Sequence, residues 1–391
     1  MFLQLFLLCA SVSALKEEDP DVHRNFMQVC VAHGYQAQSY QVTTADGYIL
    51  TLFRIPGKTD EPITSGKPVA FLQHGLLDLS DTWIMNEPAP GFILADAGFD
   101  VWFGNSRGSF HSLGHVKWNP WIHSDYWDFT WQHMAEYDIP AVIPFVLNQT
   151  GQKKLTYVGH SQGTLQMFAH LAEDPSFMKY INIFIALAPV GTVRYLDIDF
   201  FNLLKRIPYF DTLDVLGIHS FLQNANAPGI NYVFCDVLPD VCEGVAEALS
   251  DSKVSEDNTE RFPVILSHEP GGTSVFNMMH WQQMTNYLFS KMEKYDYGSV
   301  GNLYHYGSIF PPTYDISKIP GPIALFFGIY DRLADPKDGD WLRKNLNSKS
   351  IVYLNTTMPF GHLTYLWGKD LSYLNTVISL AKQYSTSSED N

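Results

Sequence analysis

The sequence predicts an α/β fold: a mainly parallel sheet covered by helices on both faces, with one inserted cap. Three observations predict it. Short apolar runs recur at 68–73, 99–103, 155–158, 183–188, 323–327 and 351–354, and strands buried on both faces read as continuous runs of this kind. Glycine and proline bound the runs, and helix-length stretches separate them, as the crossovers of a parallel sheet require. Between about 191 and 315 that rhythm gives way to a stretch rich in Phe, Tyr, Met and Leu, with a charged run at 251–261 and the turn signal Pro270-Gly271-Gly272.

Taken in order, residues 1–14 read as a secretory leader. An apolar core runs from Phe2 to Ala10, and Val12-Ser13-Ala14 offers small residues at a cleavage point ahead of Lys16-Glu17-Glu18. The core is too short to span a bilayer, and no later stretch reaches the roughly 18 apolar residues of a membrane helix. Residues 15–190 form the first part of the sheet domain. In it, Tyr40-Gln-Val42 and Tyr48-Ile-Leu-Thr-Leu-Phe53 flank Asp46-Gly47, the signature of a β-hairpin. The run 155–158 leads into a helical stretch at 164–172. Residues 191–315 form the cap, expected to fold over the strand ends as a lid on a lipid-binding cleft. Residues 316–391 return to the sheet, add a final helix and end in a short polar tail.

At 391 residues the chain fits one large α/β domain with an insertion. Hydrophobic residues make up 46% and charged residues 17%, which suits a packed globular protein. The formal charge of −16 excludes nucleic acid as a partner, because phosphates would be repelled. Of the four cysteines, Cys9 leaves with the leader. Cys235 and Cys242 are close enough in sequence to close a small loop in an oxidising compartment, and Cys30 is then a single buried thiol. No cysteine shows metal-site spacing with histidine, so neither metal nor cofactor is expected. Asn148-Gln-Thr150 and Asn355-Thr-Thr357 match the glycosylation acceptor pattern.

The chemistry is carried by Gly159-His160-Ser161-Gln162-Gly163. A strand before it and a helix after it make the turn a nucleophile elbow of the α/β-hydrolase kind, with Ser161 at its tip. A second copy of the pattern, Gly104-Asn-Ser106-Arg-Gly108, leads into no helix, and Ser106 is read as part of a structural loop. A serine hydroxyl needs a base, and the base needs a carboxylate; along such chains the order is Ser, acid, His. Asp331 lies just past the strand 323–327, at the carboxyl end where functional side chains collect. Asp335 stands before Pro336 and reads instead as a helix cap. His362 is the one histidine after Asp331, so chain order selects it. Charge on the tetrahedral intermediate calls for backbone N–H donors, assigned to Gln162 and to Leu76 in His74-Gly75-Leu76-Leu77.

Together these pieces resemble the acid lipases, the family of gastric and lysosomal acid lipase. The resemblance runs from about Asp21 to beyond His362. It rests on Thr44-Ala-Asp-Gly-Tyr48, His74-Gly-Leu-Leu77, Gly104-Asn-Ser-Arg-Gly108, Met134-Ala-Glu-Tyr-Asp-Ile-Pro140 and Gly159-His-Ser-Gln-Gly163. Further on it rests on Ala186-Leu-Ala-Pro189, Leu266-Ser-His-Glu-Pro270 and Leu333-Ala-Asp-Pro336. It implies an α/β-hydrolase with cap and lid that uses Ser161, Asp331 and His362, with Leu76 and Gln162 at the oxyanion hole. It implies a cap disulfide between Cys235 and Cys242. It also implies hydrolysis of triacylglycerols or steryl esters at an interface or micelle, in acid, in a lysosome or outside the cell. A short-chain esterase or thioesterase, and a lipid carrier without catalysis, stand as rival readings. Acid activity requires a base that stays neutral, and closure of the cap is expected to desolvate His362 to that end.

Overall fold

Eight strands, with a two-residue ninth at Gly114–His115 paired antiparallel to Tyr48–Ile49, make the central sheet of the computed structural model, which describes residues 18–198, 209–222, 254–286 and 288–386. They are β1 (Gln38–Thr43), β2 (Tyr48–Ile55), β3 (Val69–Gln73), β4 (Asp100–Gly104), β5 (Leu155–His160), β6 (Ile181–Leu187), β7 (Ile323–Gly328) and β8 (Ile351–Met358). Their spatial order is β1-β2-β4-β3-β5-β6-β7-β8. The β1–β2 and β2–β4 pairs are antiparallel, and every pair from β4 to β8 is parallel. The leader at 1–14, Cys235, Cys242 and the parts of the expected cap at 199–208 and 223–253 lie outside the described residues.

Every residue of β3, β4, β5, β6 and β7 is buried, which is why these strands read as unbroken apolar runs. The outermost strands differ. β1 and β8 alternate between more and less buried positions, and Val352 and Leu354 of β8 are exposed. An edge strand has one covered face, so apolar content alone overstated the burial of 351–354. The Asp46-Gly47 turn closes the β1–β2 hairpin: the Thr44 N–H donates to the Tyr48 carbonyl at 2.8 Å, and Gly47 holds φ +100°.

Helices cover both faces. They are α1 (Phe26–Ala32), α2 (Pro90–Asp96), α3 (Ile139–Thr150), α4 (Gln162–Glu173), α5 (Phe262–His268), α6 (Val275–Thr285), α7 (Pro336–Asn345) and α8 (Tyr373–Thr386). α3, α4, α6 and α7 pack on the face presenting Phe71, Trp102 and Tyr157. α1, α2, α5 and α8 pack on the opposite face, with Leu72, Phe103 and Val158. Neighbouring residues of one strand thus feed different cores, as the period of two dictates. Between β6 and β7 the chain leaves the sheet, and its described residues there include α5, α6, the short helices Tyr209–Val215 and Gly298–Tyr306 and a small pairing of Ser220–Phe221 with Thr273–Ser274.

Three of the sequence marks meet at one buried cation. Arg107, 1% exposed, donates from Nε and Nη2 to Asp138 at 2.8 and 2.7 Å, and pairs with Asp46 from its other edge. Its guanidinium lies 4.0 Å over the Tyr48 ring. The loop after β4 is therefore held by the hairpin turn and by the helical segment leading into α3. Ser106, in that loop, is 4% exposed, and its Oγ accepts from Gln73 and Gln166; it is a loop residue, as expected. Cys30 is a buried free thiol. Asn148 is exposed near the end of α3, and Asn355 lies partly exposed on β8.

Candidate active site

Ser161 stands between β5 and α4 with φ +53° and ψ −121°, a backbone conformation that side chains rarely adopt. Close packing enforces it. A Cβ on Gly159 would lie 2.9 Å from the Gly163 backbone, and a Cβ on Gly163 would lie 2.6 Å from the Gln73 carbonyl. Only glycine at both positions lets strand, turn and helix meet. The Ser161 carbonyl accepts from the Thr164 N–H at 2.8 Å and from the Thr164 hydroxyl at 2.7 Å, which ties the turn to the first turn of α4.

Asp331 and His362 come from the loops after β7 and β8. His362 Nε2 is 2.8 Å from Ser161 Oγ, and His362 Nδ1 is 2.9 Å from Asp331 Oδ2. A carboxylate only accepts, so Nδ1 carries the proton and Nε2 is left to accept from the serine hydroxyl. Asp331 Oδ1 accepts from the N–H groups of Leu333 and Ala334 at 2.9 and 2.7 Å, which fixes the carboxylate plane. All three side chains are at most 3% exposed. Asp335 caps α7 by accepting from the Lys337 N–H at 2.8 Å, and takes no part in this cluster.

The loop after β3 passes directly over the serine. A Cβ on Gly75 would lie 3.0 Å from Ser161 Cβ, and Leu76 and Leu77 line the same cavity as Ser161. Gln162 opens α4, where a backbone N–H has no intrahelical acceptor. Its side chain is gripped by α6: Trp281 Nε1 and Asn277 Nδ2 donate to Gln162 Oε1 at 2.7 and 3.0 Å. The cluster opens on a cavity of about 830 Å³, part of it reaching solvent. Leu76, Leu77, Leu266, Leu333, Leu363 and Trp367 make its walls apolar.

Three polar groups around the site were given no chemical role in the sequence reading. His160, buried beside Ser161, donates from Nε2 to the His362 carbonyl at 2.8 Å. Burial first, and the nearby His362 second, push His160 down to about 3. Asp78 and Glu269 also line the cavity. Burial pushes the Glu269 carboxyl well up, and the adjacent Asp78 adds to the shift. The available signal was an acid inside the otherwise apolar His74-Gly-Leu-Leu-Asp-Leu79, and another in Leu266-Ser-His-Glu-Pro270.

Strand order, covering helices and the elbow at Ser161 define an α/β-hydrolase. A family model described as the alpha/beta hydrolase fold matches residues 68–184, and one described as a partial alpha/beta-hydrolase lipase region matches residues 26–87. The chain is 40% identical to lipase lipl-1 of Caenorhabditis elegans, over 90% of this chain and 89% of that one. It is 38% identical to bovine (Bos taurus) gastric triacylglycerol lipase over 93% and 92%. It is 38% identical to human lysosomal acid lipase/cholesteryl ester hydrolase over 94% and 92%. The chain belongs to this acid lipase family, as its sequence marks led us to expect.

Proposed function

We propose that the protein hydrolyses carboxylic esters of lipids, triacylglycerols or steryl esters, through an acyl-enzyme on Ser161. The observation that carries the reading is the Ser161–His362–Asp331 chain of hydrogen bonds at the wall of an apolar cavity. Ser161 Oγ attacks the ester carbonyl while His362 Nε2 takes its proton, and Asp331 stabilises the imidazolium that forms. The N–H groups of Leu76 and Gln162 receive the oxyanion. His362 returns the proton to the departing alcohol, then draws one from water, whose oxygen releases the fatty acid. The apolar walls favour an acyl chain by about 0.8 kcal/mol per buried CH₂, which favours long-chain esters over short ones.

Work in an acidic compartment, reached by the secretory route through the leader at 1–14, completes the proposal. The named relatives include a gastric and a lysosomal enzyme. Held down at about 3, His160 stays neutral through the acid range and places no second positive charge against an imidazolium at His362. Asn148 and Asn355 would then carry glycans, and Cys235 and Cys242 would pair in the cap.

Rates on triolein, cholesteryl oleate and a short-chain soluble ester test the reading, each for the parent and for Ser161→Ala. The parent is expected to turn over the long-chain esters, and the variant to lose about three orders of magnitude or more in kcat while melting as the parent does. Unchanged turnover in the variant removes Ser161 as nucleophile. Activity confined to the short ester replaces the lipase reading with an esterase.

A further inference from the structure

Asp78 and Glu269 are two buried acids without a buried cation between them. Asp78 sits two residues after Leu76, on the loop that passes over Ser161. Its Oδ2 accepts from the Gly75 N–H at 3.3 Å and its Oδ1 from the Leu79 N–H at 2.9 Å. Glu269 arrives from the segment after α5, and its Oε1 accepts from the same Leu79 N–H at 3.2 Å. Two residues on, the Gly271 N–H donates to the Leu77 carbonyl at 2.7 Å. A Cβ on Gly271 would lie 2.4 Å from the Leu79 side chain, so the two segments are in tight contact. The loop bearing Leu76 is clasped by the segment bearing Glu269.

The charges around this clasp do not neutralise it. Asp81, the next acid along, is already balanced: His111 Nε2 lies 2.7 Å from its Oδ2 and His268 Nδ1 lies 3.1 Å from its Oδ1. His74, lowered by its burial, spends Nδ1 on the Gly75 carbonyl and accepts the Ser106 N–H at Nε2. His160 and His362 line the same cavity and are bonded within the catalytic cluster. Among the described residues no Lys, Arg or His pairs with Asp78 or Glu269. Glu269 Oε2 is buried with no hydrogen-bond donor, and the two carboxyls converge on the one Leu79 N–H at the wall of one cavity. Two carboxylates cannot both be ionised in such a place, and a single proton between them supplies the missing donor.

We propose that Asp78 and Glu269 share one proton, and that this proton holds the oxyanion loop in its working position, so that ester hydrolysis requires the pair to stay singly protonated. Both are positioning residues: they act through Gly75, Leu76 and Leu79. The proposal rests on the reading of Leu76 as an oxyanion donor. Its sign follows from burial. A carboxyl raised by burial keeps its proton in acid and loses it as pH rises through the pair's own titration. Two adjacent anions then repel, and the clasp on the loop opens. The alkaline limb of activity belongs to this pair.

Rates on a soluble short-chain ester from about pH 5 to about pH 8 read that limb without a lipid surface. In Glu269→Gln the amide keeps a donor toward Asp78 and a carbonyl toward Leu79, and does not titrate. The ratio of kcat at the alkaline end to kcat at the acid end is expected to rise about tenfold or more over the parent, the change that a limb moved by about one pH unit produces. An unchanged ratio overturns the proposal. Asp78→Asn dissolves the pair from the other side, should give the same rise, and carries the test where Glu269→Gln fails to fold. The infrared band of a carboxylic acid offers an independent readout: it should persist in the parent to neutral pH and weaken in Glu269→Gln. A parent without that band also overturns the proposal. A parent that hydrolyses no ester instead overturns the functional reading, and the infrared band still decides the shared proton.

Discussion

Asp331 serves two masters, and a single-atom change separates them. Its Oδ1 takes two backbone N–H groups, from Leu333 and Ala334, while Oδ2 takes the imidazole of His362. In Asp331→Asn the backbone donors hold the amide oxygen at the Oδ1 position, so the NH₂ faces His362 Nδ1. That nitrogen must then accept, the ring proton moves to Nε2, and the serine loses its base. A fall in kcat of about four orders of magnitude is expected, with KM and melting temperature little changed. A loss below about tenfold would show that the carboxylate is dispensable. Ser161, Asp331 and His362 were legible because a motif and a chain order both constrain them. Asp78, Glu269 and His160 were not. Their importance depends on what faces them across the fold, and a single acid in an apolar loop carries no sign of its partner.

Arg107 ties three short sequence marks together. The hairpin turn at Asp46, the loop after β4 and the helical segment at Asp138 meet at its guanidinium, and its backbone N–H adds a bond to Asp138. That segment, Met134–Asp138, winds as a π-helix before α3 begins. The wider turn precedes the Asp138 carboxylate that Arg107 grips. Burial would raise Asp138, and Arg107 opposes it. Removing the carboxylate in Asp138→Ala leaves a fully buried cation with Asp46 as its remaining ion-pair partner. The expected cost is about 3–5 kcal/mol in a denaturant titration, where a surface pair would cost about 1 or less. A loss under 1 kcal/mol would make the cluster ornamental. The elements themselves were legible to the extent that they are buried on both faces. The central strands announced themselves by unbroken apolar runs. The edge strand β8 did so less truly, because half of it faces outward. The π-helical turn left no local periodicity to read.

The whole molecule carries buried groups of opposite titration behaviour, and their balance sets its stability against pH. Burial holds His133 at about 4, and His160 and His280 at about 3. A lowered imidazole contributes stability that is present above the ordinary histidine range and lost as pH falls below about 6.5. Burial also raises Asp257 to about 6, Asp338 to about 7 and Glu269 well upward. A raised carboxyl contributes stability that is present below about 4 and lost as pH rises through its folded value. Between about pH 4.5 and 6 the two sets of three oppose each other, each group acting at about 1.4 kcal/mol per pH unit. His74, His115 and His170, also lowered, act with the first set, and Asp128 and Asp138, also raised by burial, act with the second. Above about 6.5 the lowered histidines fall silent, because folded and unfolded chains are then alike neutral there. Asp338, up to its value of about 7, and Glu269 still hold protons that the unfolded chain has already lost. His33, raised by its bond to Asp21, and His268, raised by Asp81 against its burial, act in the same direction. Melting temperature should therefore change little between about pH 4.5 and 6 and fall above about 6.5. Asp338→Asn isolates one contributor. The Asn carbonyl can still accept the Tyr195 N–H that Asp338 now takes at 2.8 Å. Scanning calorimetry should find the variant stabilised over the parent at about pH 8 and nearly level with it at about pH 4. A parent that grows steadily more stable from pH 6 to 8 would mean that the buried carboxyls are already ionised in the native state.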